Sequence, residues 1–277
     1  MRKLFLVVLF FGVIFFPSSF LYADESIKIL IVPGHDNEIW GAQYGNIKEA
    51  DMNLRLGTEL FNVLQKDKRF KAYITRDLLG YTTEFADYLM NQADIISFRD
   101  NAKKTMQEKI QNGSFVEKTN VSHNAATEDI AIKLYGFNKW ANENQVDVVI
   151  HIHFNDYPRP YKWTKGQYKG FAVYMPDEQF INSTGSAKLA KSIFDQLHKK
   201  YMTSTYKKEN GGLVQDQKLI ALGSNNTLNA GVNSILIEYG YIYRFGNRAM
   251  RHKAYKNMAN LTATGIKNYF LSSPQDF

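Results

Sequence analysis

Cysteine is absent from the chain. That excludes disulfides and thiolate metal sites, leaves stability to packing, and leaves histidine, aspartate and glutamate to hold any metal ion. Beyond the N-terminus there is also no segment long and apolar enough to cross a bilayer. Charge of one sign is not concentrated either, because the formal net charge of +7 is spread through the 277 residues. Such a mild basic balance suits an anionic cell-wall polymer as partner or serves solubility alone, and no nucleic-acid partner is expected.

The apolar run that does exist lies at the start. Arg2 and Lys3 precede Leu4 to Phe16, Pro17, Ser18 and Ser19 break the run, and Ala23 offers a small residue for cleavage. Residues 1–23 therefore read as a secretory signal peptide, and the protein is expected to be exported, to the periplasm or to the cell wall outside. Leu21 and Tyr22 suit cleavage poorly, which leaves an uncleaved signal anchor as the alternative and the only expected membrane contact. Removing the signal takes away Arg2 and Lys3 and lowers the net charge by two, to +5. The 277-residue chain is 44% hydrophobic and 14% aromatic, ample material for one core and one domain over residues 24–277.

Hydrophobic periodicity orders the mature chain. Ile27 to Val32 reads as a buried strand stopped by Pro33 and Gly34, Ile47 to Gln65 as a helix with Glu49 in its first turn, and Phe70 to Thr75 as a second strand. Regular alternation then lapses until about Glu128. Thr83 to Gln111 carries a helical apolar stripe and Asn112 to Ala126 is polar, so residues 78–128 read as a helical insertion, either a packed surface helix or a lid. Ile130 to Asn144 is a helix and Val146 to His153 a strongly apolar strand, whose period of two puts Val149, His151 and His153 on one face. Gly170 to Met175 and Lys218 to Leu222 read as strands, Ser186 to Tyr201 as a helix, Ser234 to Ile237 as a strand ending in Glu238, and Asn247 to Leu271 as the closing helix. Strands and helices alternate, which predicts an α/β three-layer sandwich with a mixed, mostly parallel sheet of about six strands.

Functional groups in such sheets collect beyond the carboxyl ends of the strands. His35, Glu49, His153 and Glu238 all stand at the end of a strand or the start of a helix, and together they supply what a zinc hydrolase needs. Two imidazoles and a carboxylate hold a metal with a position left open for water, and a second carboxylate moves protons. Glu49 has a plain structural reading as well, since a carboxylate in a first helical turn is favoured by the helix dipole.

Five segments then carry a family resemblance: Val32 to His35, Lys48 to Leu54, Thr75 to Asp77, His151 to Asn155, and Ile235 to Tyr241. In this order they resemble the signature of the zinc-dependent N-acetylmuramoyl-L-alanine amidases, over the chain from about Lys28 to the last helix, apart from the insertion. The resemblance implies a catalytic domain with a six-stranded sheet that cuts the amide between N-acetylmuramic acid and L-alanine in peptidoglycan. It implies one zinc per chain on His35, Glu49 and His153, with Glu238 as the catalytic proton carrier. An activating protein partner is possible in such a system.

The chain departs from the family pattern in places. Asp36 stands where a glycine is usual and could be an extra ligand or support one; His151 replaces a usual serine and reads either likewise or as a neutral core histidine bonded to backbone. Asn155 could orient His153, contact sugar, or cap the loop. No arginine counterpart is evident near Lys133 and Tyr135. In the loop Asp156 to Tyr168, Tyr157, Tyr161, Trp163 and Tyr168 alternate with Arg159, Lys162 and Lys165, a pattern that suits glycan stacking and loop packing equally. Two other readings remain open at this stage: a catalytically inactive peptidoglycan-binding or regulatory relative, and an amidohydrolase barrel suggested by the His151-x-His153 spacing.

Overall fold

The structure is a computed structural model that describes residues 26–118, 121, 123 and 125–272. The signal-peptide reading of residues 1–23 lies outside the described residues. Strands β1 (Ile27–Pro33), β4 (Phe70–Ile74), β5 (Val148–Asn155), β6 (Ala172–Pro176), β7 (Leu213–Asp216) and β8 (Asn233–Tyr241) form one sheet in the order β4-β1-β5-β8-β6-β7. The first four of that order run parallel, and β6 turns antiparallel against β8, carrying β7 with it. A separate two-stranded hairpin, β2 (Gln43–Tyr44) with β3 (Ile47–Lys48), leads into α1 (Glu49–Leu64).

Side-chain alternation along the central strands builds two cores. Ile29, Ile31, Ile150, Ile152, Ile235 and Ile237 face α1, α5 (Ser183–His198) and α6 (Arg248–Ser272), all in one buried cluster. Leu30, Val32 and Val149 face the opposite way, onto Phe137, Trp140 and Ala141 of α4 (Glu128–Glu143) and Phe85 of α2 (Thr83–Met90). Each fully buried branched side chain contributes about 1.5–3 kcal/mol relative to exposure, so these two cores fix the register of the strands and with it the placement of the residues at their carboxyl ends. The result is the expected three-layer α/β sandwich, which excludes the barrel.

Three local expectations need correction. Lys218–Leu222 is not a strand: Ile220–Leu222 is a single 3-10 turn, because the Asp216 Oδ1 accepts the N–H groups of Lys218 and Leu219 and turns the chain off the sheet. The sixth strand is instead β7, just before it. Thr83 to Gln111 is two helices, α2 and α3 (Gln92–Gln111), broken at Asn91 with ψ at +58°. Ile47 and Lys48 belong to the hairpin, not the helix. Within the insertion, Phe85 packs on Phe137 and Trp140, and Ile95 of α3 is buried with Ile132 and Tyr135 of α4.

Candidate active site

β1 ends at Pro33, and beyond Gly34 comes His35 in the left-handed region at φ +62°. A histidine there carries backbone strain of about 1–2 kcal/mol, which persists only where the surroundings impose it. The surroundings are crowded. A Cβ at Gly34 would stand 2.2 Å from the His153 ring, and one at Gly41, whose φ is +68°, would stand 2.4 Å from both Glu49 and His35. Both glycines are therefore needed so that backbone and side chains can converge.

They converge on Glu49. His35 Nε2 lies 3.1 Å from its Oε2, and His153 Nδ1 lies 3.1 Å from its Oε1. The two imidazoles meet edge to face, with centroids 5.2 Å apart. Glu49 also accepts the N–H of Ala42 at 2.8 Å, the N–H of Phe154 at 3.2 Å and the Asn53 amide at 3.3 Å. Burial works against ionisation of this carboxyl, but the hydrogen bonds from His153 and His35 outweigh it and hold its pKa well below the usual range. Burial likewise works against protonation of both imidazoles; at His35 the bond to Glu49 outweighs it and raises the pKa, while at His153 burial prevails and lowers it.

Among the described residues His35, Glu49 and His153 form the one group of acidic and histidine side chains able to hold a metal, with ligand atoms within 4.8 Å of one another. His35 reaches Oε2 and His153 reaches Oε1 of the one carboxylate, and two imidazole nitrogens with a carboxylate are donors that zinc takes. The buried Arg76 braces the cradle from below, its guanidinium donating to the carbonyls of Pro33, Gly34 and Ala50 at 3.2, 3.3 and 2.6 Å. Asn53 adds a 2.9 Å bond to the Gly34 carbonyl. Arg76 was visible in sequence only as part of a motif, and Asn53 only as a residue within one; their bracing role depends on contacts 19 to 43 residues distant.

Glu238 stands directly opposite His153 in the β5–β8 register. Its Oε2 is buried with no hydrogen-bond partner. Burial, and then the negative charges of Glu49 and Glu209, push its pKa well above the usual carboxylate range. Glu209 was not anticipated: it sits in a 3-10 helix, Lys207–Gly212, between α5 and β7, where nothing in the local pattern marks it. It is buried and accepts hydrogen bonds from the Asn155 amide and the Tyr174 hydroxyl, each at 2.7 Å.

The auxiliary residues divide. Asp36 is not placed with the donor group: its carboxylate accepts the N–H groups of Glu38 and Ile39, the Tyr81 hydroxyl and the Lys133 ammonium at 2.8–3.1 Å. These bonds use its acceptor capacity and cap the loop. Lys133, where no arginine was evident, is thus an anchor for Asp36. His151 is fully buried, and burial drives its pKa down to about 3, so it is a neutral core imidazole. The expected backbone bond is missing, since neither ring nitrogen has a partner. Asn155 donates to Glu209 and not to His153. A cavity of about 810 Å³, bordered by His35, His151, His153, Asp36, Phe137 and Leu236, opens beside the donor group.

A mixed α/β sheet thus carries a convergent His-Glu-His group, the donors for a metal, at the carboxyl ends of its strands, with a buried carboxyl opposite. A sequence model of the N-acetylmuramoyl-L-alanine amidases matches residues 29–268, and the chain belongs to that family. It is accordingly an amidase of cell-wall peptidoglycan. No curated protein matches it in sequence. Among solved structures it is similar to an N-acetylmuramoyl-L-alanine amidase from Clostridium difficile 630, at 17% identity and TM-score 0.55, over 90% of this chain and 99% of that one. The CwlD amidase from Clostridioides difficile, solved in complex with the GerS lipoprotein, is 15% identical with TM-score 0.58, over 90% and 100% of the two chains. An amidase from Mycobacterium abscessus, in its apo form, is 15% identical with TM-score 0.57, over 88% and 98%.

Proposed function

We propose that this amidase is zinc-dependent, with one ion held by His35, Glu49 and His153 and with Glu238 as the catalytic proton carrier, and that it cleaves the bond between the lactyl group of N-acetylmuramic acid and L-alanine. The convergence of the three donors within 4.8 Å carries the reading. A bound zinc ion supplies Lewis acidity toward water and toward the scissile carbonyl. Glu238 takes the proton from the attacking water and returns it to the departing alanine amine. Its buried setting, which favours the protonated form, suits the second of those steps. The charged Glu49 is the one anionic donor among two neutral imidazoles, which leaves net positive charge on the centre to favour a developing oxyanion.

Peptidoglycan lies outside the cytoplasm, which supports reading residues 1–23 as an export signal. The CwlD relative bound to a lipoprotein makes a protein partner reasonable here too. We read α2 and α3 as a structural layer rather than a lid, because Phe85 and Ile95 are buried against α4.

Digestion of purified sacculi with mass analysis of the products tests the function. The expected outcome is free stem peptides beginning with L-alanine and glycan strands left intact; cleavage within the glycan or within the peptide would reject it. Glu238→Gln should retain zinc while lowering kcat by about 10²–10⁴-fold. Undiminished turnover would remove Glu238 from the mechanism.

A further inference from the structure

The four aromatic residues of the loop after β5 do two different things. Tyr157 and Tyr168 pack edge to face with centroids 4.6 Å apart and lean on Tyr206 and Tyr241, so they belong to the interior of the loop. Tyr161 and Trp163 turn outward. They are 58% and 68% exposed, and they stack on each other with rings 6° from parallel and centroids 5.0 Å apart. Each ring therefore spends one face on its neighbour and keeps the other toward solvent.

This display is built rather than incidental. Arg159, whose side chain is 5% exposed, donates to the carbonyls of Lys162 and Thr164 at 2.8 and 3.0 Å, and Asp156 accepts from it in a fork at 2.8 and 2.9 Å. The same guanidinium reaches the Gln43 carbonyl at 2.7 Å and lies 5.2 Å from the Tyr243 ring centroid. The Gly45 N–H donates to the Lys162 carbonyl, and the Thr164 hydroxyl donates to the Tyr161 carbonyl. Both residues next to the exposed rings are thereby fixed by backbone contacts, so the two rings lose little freedom when a ligand covers them.

A groove between this loop and the hairpin joins the rings to the active site. It is lined by Gly41, Ala42, Gln43, Tyr157, Arg159 and Tyr161. At its inner end Ala42 is the residue whose N–H binds Glu49, and Gly41 is packed against Glu49 and His35. Its lining also includes Asp156 and the exposed Lys162, and Trp163 stacks on Tyr161. The Tyr161 ring, which lines this groove beside Lys162 and is backed by Trp163, matches a pyranose ring, which presents an apolar C–H face for stacking and hydroxyl or carboxylate edges for a cation.

We propose that Tyr161, backed by Trp163, forms a stacking platform for the peptidoglycan glycan strand, placing sugars beyond the scissile residue along this groove. This rests on the amidase reading, which supplies a sugar polymer as substrate. The platform acts on binding, so it governs how well polymer is held and not how fast the bond breaks.

The test is direct titration of the zinc-loaded enzyme with glycan strands of alternating N-acetylglucosamine and N-acetylmuramic acid, freed of stem peptide, together with KM and kcat on intact sacculi. The double variant Tyr161→Ala/Trp163→Ala should weaken strand binding about tenfold or more and raise KM by a similar factor, with kcat much less affected. Trp163→Tyr, which restores an aromatic face, should recover most of the affinity. Unchanged strand binding in the double variant would overturn the proposal, and so would a loss of the same size in Trp163→Tyr, which would mark a general disturbance of the loop. Because strand binding needs no turnover, failure of the amidase reading would show as inert sacculi with strand binding intact, and failure of the platform as cleaved sacculi with binding insensitive to the substitutions.

Discussion

Two loops border the donor group, and they are stabilised in opposite ways. The first, from Gly34 to the hairpin, is held by the site itself: Glu49 binds Ala42, Asp36 caps its own turn, and Gly34 and Gly41 exist to let His153, His35 and Glu49 approach. The second, from Asp156 to Tyr168, is held by Arg159 and by its inner tyrosines, away from the donors, and so is free to present Tyr161 and Trp163 outward. Chemistry here is over-determined from several elements at once. The proposed recognition face is mounted on a loop whose staple, Arg159, reaches the hairpin at Gln43 but none of the donors.

Substitutions at either loop break or sharpen that contrast. The largest effect is expected at Glu49→Ala, which removes the anionic donor and the acceptor shared by two imidazoles and two backbone N–H groups. Zinc per chain should fall from about one to near zero and hydrolysis should disappear; elemental analysis showing full zinc would refute the assigned ligand set. Next, Arg159→Ala should loosen the second loop and its tie to Gln43 of the hairpin. It leaves several carbonyls without a charged donor, so a loss of about 1–3 kcal/mol in denaturant stability is expected, with faster proteolytic nicking between residues 156 and 168 and a raised KM on sacculi. Full loss of zinc in that variant would show that the loops are not independent.

The smallest effect belongs to Asp36→Asn. Burial opposes ionisation of Asp36, but the N–H groups of Ile39 and Glu38 and the Lys133 ammonium outweigh it and hold its pKa at about 2, against an ordinary 3.8. A lowered pKa contributes stability that is fully present above about pH 4 and is lost as pH falls toward 2. The variant should therefore be about 1 kcal/mol less stable than the parent near neutrality, with the gap closing between pH 4 and 2. A gap independent of pH in urea titrations would mean that the charge of Asp36 is not what the loop uses.

Much of this was legible in sequence, for identifiable reasons. Strands β1, β5 and β8 are buried on both faces, so they appear as apolar runs; His35 lies just past β1, while β5 and β8 run on two and three residues beyond His153 and Glu238. The short edge strand β7 was missed because Leu213-Val214-Gln215-Asp216 has one covered flank and no apolar run to announce it. The break at Asn91 was missed because an apolar stripe continues through it. Asp36 looked like a candidate ligand from its place next to His35; only Tyr81 and Lys133, 45 and 97 residues away, show that it faces elsewhere.

By itself the sequence determined the sandwich, through local periodicity, and offered four candidate residues near strand and helix ends, which the family resemblance then grouped. Tertiary structure alone decided which polar neighbours serve the centre and which serve the loops. It also brought in Arg76 and Glu209 and separated the outward aromatic pair from the inward one. The reason is that hydrogen bonds and ring contacts across tens of residues depend on relative orientation, which no local pattern encodes.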